Sequence, residues 1–193
     1  MRPSLSLRSI LVVALLLAGG FAGASSCART SAPAAPDTVS LDEAVARTIA
    51  AGSARVAATI TNDAGAVTVA GLTSWVEPKA SFVTEADGAP PVEVRVTPTG
   101  TWLRSRPDRP WTLVDPQLAT AAGTATRWSD LLTTLQPAGP SRKRHLRATH
   151  DGGPARIELD GHGRIRRLRI DKASGHLDLR LSDHGTEVEV TDP

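Results

Sequence analysis

The chain has 193 residues, 22 of them basic and 20 acidic, with a formal net charge of +2, one cysteine and no tyrosine. A lone thiol excludes a disulfide framework within the chain. All the carboxylates lie beyond residue 27 while Arg2 and Arg8 precede it, so the remainder is close to neutral and its charge gives no ground for nucleic-acid binding.

The N-terminus reads as an export signal. Arg2 and Arg8 supply a positive start, Ile10–Leu17 is an unbroken apolar run, and small residues fill Ala18–Ser26. Even from Ile10 to Ala24 the apolar stretch falls short of the roughly 20 residues of a membrane-spanning helix. Two cleavage sites compete. Ala24-Ser25-Ser26 before Cys27 resembles a bacterial lipobox, which would make Cys27 an acylated N-terminus, although alanine occupies the usual leucine position. Ala22-Gly23-Ala24 could equally be an ordinary A-x-A site. The lipobox gives a reason for a single cysteine in an exported chain. The expected organisation is a signal peptide over 1–26, a lipidated tether over 27–39, which is Pro/Ala/Ser-rich, and one domain over 40–193. The expected location is the outer face of the plasma membrane, held by an acyl anchor; cleavage after Ala24 would instead allow a secreted soluble protein.

Structure should begin at Ser40. Ser40 and Glu43 form a capping box for a helix ending near Gly52, with Leu41, Ala44, Val45 and Ile49 on one face. Alternation then replaces helical spacing. Val56, Ala58 and Ile60 predict one strand, Asn62-Asp63-Ala64-Gly65 a turn, and Val67 and Val69 the returning strand. Val92, Val94 and Val96 alternate next, a strand follows around Trp102, and Trp111–Val114 is a short extended piece. From about Ala119 to Leu135 the spacing of Trp128, Leu131, Leu132 and Leu135 predicts a second amphipathic helix, ended by Pro137-Ala138-Gly139-Pro140.

The last third reads as strand throughout. Ile157 and Leu159 precede a turn at Asp160–Gly163; Ile165, Leu168 and Ile170 slip in phase as a β-bulge would require; Leu177, Leu179 and Leu181 alternate, then Val188 and Val190. The predicted fold class is α+β, with eight to ten antiparallel strands forming one large sheet whose apolar face packs on two helices.

No catalytic or metal motif is present, neither a nucleophile elbow, a Walker loop, H-E-x-x-H nor C-x-x-C. The five histidines, His145, His150, His162, His176 and His184, sit beside turns and are expected to face solvent. No enzymatic activity, cofactor or metal is expected. Between Arg142 and Arg180 eleven basic residues face five acidic ones. Within that stretch Arg164, Arg166 and Arg169 are candidate contacts for anionic head groups or a protein partner.

The order of these segments resembles the actinobacterial LppX/LprG lipoprotein family, similar in shape to LolA-type carriers. The likeness rests on SLDEAVARTIAAGSARVAATI leading from helix to strand, the W/P-rich TWLRSRPDRPWTLVDP, and above all IELDGHGRIRRLRI followed by LDLRLSDHGTEVEVTDP. It implies a curved antiparallel sheet, a half-open barrel, around helices with an apolar cavity between them. The implied function is a membrane-anchored envelope lipoprotein that binds acyl chains of a lipid or glycolipid and transfers or presents them, possible partners being an envelope transporter or another envelope protein. The alternative is a sensor or scaffold of the same fold that binds a protein. Candidate cavity residues are Val45, Ile49, Trp128, Leu131, Leu132 and Leu135 on the helices and Val56, Ile60, Val94, Ile157, Leu159, Leu168, Leu177 and Leu179 on the strands. An ordinary packed core would use the same residues.

Overall fold

The computed structural model describes residues 39–114, 128–140 and 142–193. Cys27, the signal segment, the tether up to residue 38 and the expected helical stretch from Ala119 to residue 127 lie outside the described residues. Helix α1 (Leu41–Ala50) starts as the sequence requires: the Ser40 hydroxyl accepts a hydrogen bond from the Glu43 N–H at 3.2 Å. It ends at Gly52, whose φ of +82° suits a residue without a Cβ.

Strands β1 (Ser53–Asn62), β2 (Gly65–Ser74), β3 (Ala80–Ala86), β4 (Val92–Thr97), β5 (Gly100–Arg104) and β6 (Thr112–Leu113) form one antiparallel meander. Helix α2 (Trp128–Thr133) precedes a second, made of β7 (Gln136–Pro137), β8 (His145–His150), β9 (Gly153–Leu159), β10 (Ile165–Lys172) and β11 (Gly175–Ser182). Pairing of β1 with β11 fuses the two into an 11-stranded sheet, ordered β6-β5-β4-β3-β2-β1-β11-β10-β9-β8-β7. The sheet is curved and unclosed, and the fold is α+β and LolA-like. Among the described residues its edges are two-residue strands, one carrying Pro137, so little unpaired backbone is offered there to another chain.

The registers sort the side chains. Leu146, Ile157, Leu168, Leu179, Ala58 and Val69 face one another across six successive strands and are all buried. They belong to the buried apolar face of the sheet, which α1 meets at β10. A fully buried Leu or Ile contributes about 1.5–3 kcal/mol, so this apolar row is the main adhesive of the sheet.

The expected phase slip is real. Ile165 pairs with Leu159 and Arg167 with Glu158, which leaves Arg166 as the extra residue of a bulge. Ile165 and Leu168 therefore both point inward, while Arg166 and Arg167 both reach outward to Glu158 and Asp178. The Ile165 N–H faces away from β9, beyond the point where β11 begins to pair at Arg167, and the fully buried Thr48 hydroxyl accepts it at 2.8 Å while donating to the Ala44 carbonyl at 2.7 Å.

Other expectations need correction. Eleven strands form, and ASFVTEA and HLRATH, which show no clean alternation, are two of them. Val188 and Val190 alternate but form no strand. Both neighbours of β1 are already in place, so the tail is held instead by the Gly185 N–H bonding the Ser53 carbonyl and by Thr99 bonding Asp192. His150 is buried, and its Nδ1 lies 3.3 Å from Asp151, whose φ of +47° turns the chain back beside it. His184 is half-buried, with neither ring nitrogen hydrogen-bonded.

Two predictions follow from this packing. Thr48→Val keeps the shape but strands the Ile165 N–H, and urea unfolding should show a loss of about 1–3 kcal/mol. Thr48→Ser should recover most of it, and equal losses in the two variants would contradict the role given to the hydroxyl. The second concerns pH. Burial holds the pKa of His150 below its ordinary value, and desolvation followed by the Arg164 charge does the same to His184. The folded chain then binds protons less readily than the unfolded one, so stability is lost as pH falls below about 6.5. A hydrogen bond from Arg167 holds Asp178 below the usual carboxylate range, which removes further stability as pH falls below about 4. Thermal unfolding should shift to lower temperature between about pH 7.5 and pH 5.5, with a shallower slope once both histidines are Gln; a rise over that interval would contradict the account.

Candidate functional site

Helix α1 presents two apolar faces rather than one. Leu41, Ala44 and Thr48 repeat at i, i+3 and i+7 and are buried against the sheet. Val45 and Ile49, expected on that same face, are turned sideways and only half-buried. They look toward the short helix α2, of which Trp128, Leu131 and Leu132 are buried.

Between the helices lies an open groove of about 330 Å³ lined by Asp42, Val45, Ala46, Ile49, Leu132, Thr133 and Leu135. Leu132 and Leu135, 0% and 6% exposed, are its floor, and Val45 and Ile49 are a wall. Polar groups occur only at the rim, as the exposed Asp42 and Thr133. The volume lies at the small end of the range typical for ligand pockets, roughly 300–1,000 Å³. Such a groove can shield an aliphatic chain and offer hydrogen bonds to a polar end at its lip. It has no nucleophile, paired acid and base, or cluster of metal-binding side chains. Among the described residues no three His, Cys, Asp or Glu side chains converge to hold a metal.

Of the sequence-predicted lining residues, Val45, Ile49, Leu132 and Leu135 are brought together here. Trp128 and Leu131 are buried beneath α2. Val56, Val94, Ile157, Leu159, Leu168 and Leu179 lie on the covered face of the sheet as core residues. Ile60 and Leu177, directly opposite each other on β1 and β11, are on that same face and half-buried. Sequence reasoning missed Ala46 and the two rim residues. The spacing Asp42, Val45, Ala46, Ile49 marks a second helical face, but a polar residue and an alanine dilute its apolar signal.

The three candidate arginines are each paired. Arg164 bonds Asp160 at 2.8 Å, Arg166 bonds Glu158 at 2.9 Å and Arg169 bonds Asp178 at 3.2 Å. Burial opposes ionisation of Asp160, but hydrogen bonds from Arg164 and the His162 N–H outweigh it and keep its pKa low. The hydrogen bond from Arg166 lowers that of Glu158. Asp160 is mainly structural: it closes the β9–β10 turn by accepting the backbone N–H groups of His162 and Arg164 at 2.8 and 2.9 Å.

No protein-family model matches the chain, and no curated protein matches its sequence. Solved structures do match its fold. LprF from Mycobacterium bovis superposes with a TM-score of 0.54 at 15% identity, covering 79% of this chain and 94% of that one. The Mycobacterium tuberculosis lipoprotein LppX superposes with a TM-score of 0.51 at 18% identity, covering 78% and 98% respectively. Both agree with the resemblance carried by the helix–strand opening and the closing strand segments, and the chain shares the fold of these two mycobacterial proteins over most of its length.

Proposed function

We propose that this chain is an exported envelope lipoprotein, moored by an acylated Cys27 to the outer face of the plasma membrane, that shelters an acyl chain of a lipid or glycolipid in the groove between α1 and α2 and transfers or presents it. The observation that carries the reading is the groove itself, with a floor of Leu132 and Leu135, a wall of Val45 and Ile49, and polar groups only at the lip. The shared fold of LppX, itself a lipoprotein, supports the mooring.

The energetics favour a carrier without chemistry. Each methylene moved from water to an apolar setting gains about 0.8 kcal/mol, so a long-chain lipid leaves a bilayer only if a comparable surface receives it. A groove of aliphatic side chains offsets that cost for the methylenes it covers, and no catalytic group is needed. Asp42 and Thr133 at the rim can hold the polar end outside.

Ala46 lies exposed on the groove wall, so Ala46→Trp should fill the groove and leave the sheet intact. Uptake of a fluorescent fatty-acyl probe should weaken by about tenfold or more while the circular dichroism spectrum stays unchanged. Undiminished uptake would contradict the assignment. For the mooring, the wild-type N-terminus should be residue 27 with an acyl mass, and Cys27→Ser should remove that acyl mass. A wild-type N-terminus at Ser25 would instead show cleavage after Ala24.

A further inference from the structure

The face of the sheet turned away from the helices carries charge that the groove does not use. On β8 to β11 the outward side chains include Arg147, Arg156, Arg166, Arg167, Arg169 and Arg180. Arg147 lies directly opposite Arg156, and Arg156 directly opposite Arg169, three guanidinium groups in line across three neighbouring strands. Like charges placed opposite each other across strands disfavour the sheet. Local carboxylates relieve only part of this. Asp178 serves three of the arginines, with two bonds to Arg167 at 2.9 and 2.5 Å, Arg169 at 3.2 Å and Arg180 at 4.0 Å, while Glu158 serves Arg166. Arg147 and Arg156 are exposed, and among the described residues no carboxylate pairs with either.

We infer that this outer face is a docking surface for the phosphate head groups of an anionic phospholipid bilayer. Strands are spaced about 4.8 Å apart, so the arginines form a two-dimensional cationic array rather than a single track. An array of this kind matches a surface of phosphates better than one extended polymer, and a guanidinium can grip phosphate oxygens in pairs. The β10 bulge contributes by placing Arg166 and Arg167 outward in succession. The pairing of Arg164, Arg166 and Arg169 with carboxylates shifts the unneutralised charge to Arg147 and Arg156. Docking here holds the domain against the membrane by its sheet and leaves the helix groove on the opposite side uncovered. The inference does not depend on what the groove holds.

The test is flotation of the mature chain from residue 28 onward, which lacks both the apolar signal segment and the acyl anchor, with phosphatidylcholine vesicles with and without phosphatidylglycerol. Binding should require phosphatidylglycerol and disappear in about 0.5 M NaCl. Arg147→Glu with Arg156→Glu should weaken it by at least about tenfold, and the milder Arg147→Gln with Arg156→Gln, which retains the fold should the reversal disturb it, by several-fold. Ala46→Trp should leave flotation unchanged, which separates this surface from the groove. Equal binding by the arginine variants would overturn the proposal. So would a wild-type chain that ignores the vesicles yet is retained by soluble polyphosphate, since that would make the face a polymer site.

Discussion

One buried hydroxyl reconciles the two halves of the molecule. The Ile165 N–H points away from β9, and β11 pairs with β10 only from Arg167 onward, so this donor has no strand partner; unpaired at a fully buried residue it would cost about 1–3 kcal/mol. Thr48 accepts it, and in doing so fixes where α1 crosses the sheet and how the helix is rotated. With Thr48, Ala44 and Leu41 committed to the sheet, Val45 and Ile49 can only look sideways. The groove is thus a consequence of how the Ile165 N–H is satisfied.

The β10 bulge divides labour between the two faces of the sheet. Inward, it keeps Ile165, Leu168 and Ile170 in the apolar layer despite the extra residue. Outward, it sets two consecutive arginines beside Glu158 and Asp178. A single irregularity therefore builds both the dry surface under the helices and part of the cationic surface opposite. The edges are short and the tail is held by Ser53 and Thr99, so the sheet remains open without an extended free strand.

Much of this was legible in the residues, and what was missed has physical causes. The Ser40 N-cap, the Asn62–Gly65 turn and the phase slip after Ile165 are local signals set by neighbours within a few positions, although Glu43 pairs with Arg47 instead of closing the capping box. β3 escaped because Ala80 and Phe82 inward and Val83 outward blur the two faces, and β8 because His145 and Arg147 frame few apolar residues. Val188 and Val190 have strand-like alternation, but a strand also needs an unoccupied neighbour, a property of the whole sheet. The partition of α1 into two faces depends on a hydrogen bond from a residue 117 positions away. The arginine line depends on the β8–β9 and β9–β10 registers, so Arg147, Arg156 and Arg169 cannot be recognised as neighbours from spacing alone.

The account stands or falls on whether the interhelical groove takes up an acyl chain. Native mass spectrometry of the full chain, purified from its own membrane, tests this most directly. The account predicts a population carrying one non-covalent lipid per chain beyond any anchor on Cys27, released on collisional activation as an intact acylated species. A single bare mass, unchanged after incubation with excess lipid, would contradict it.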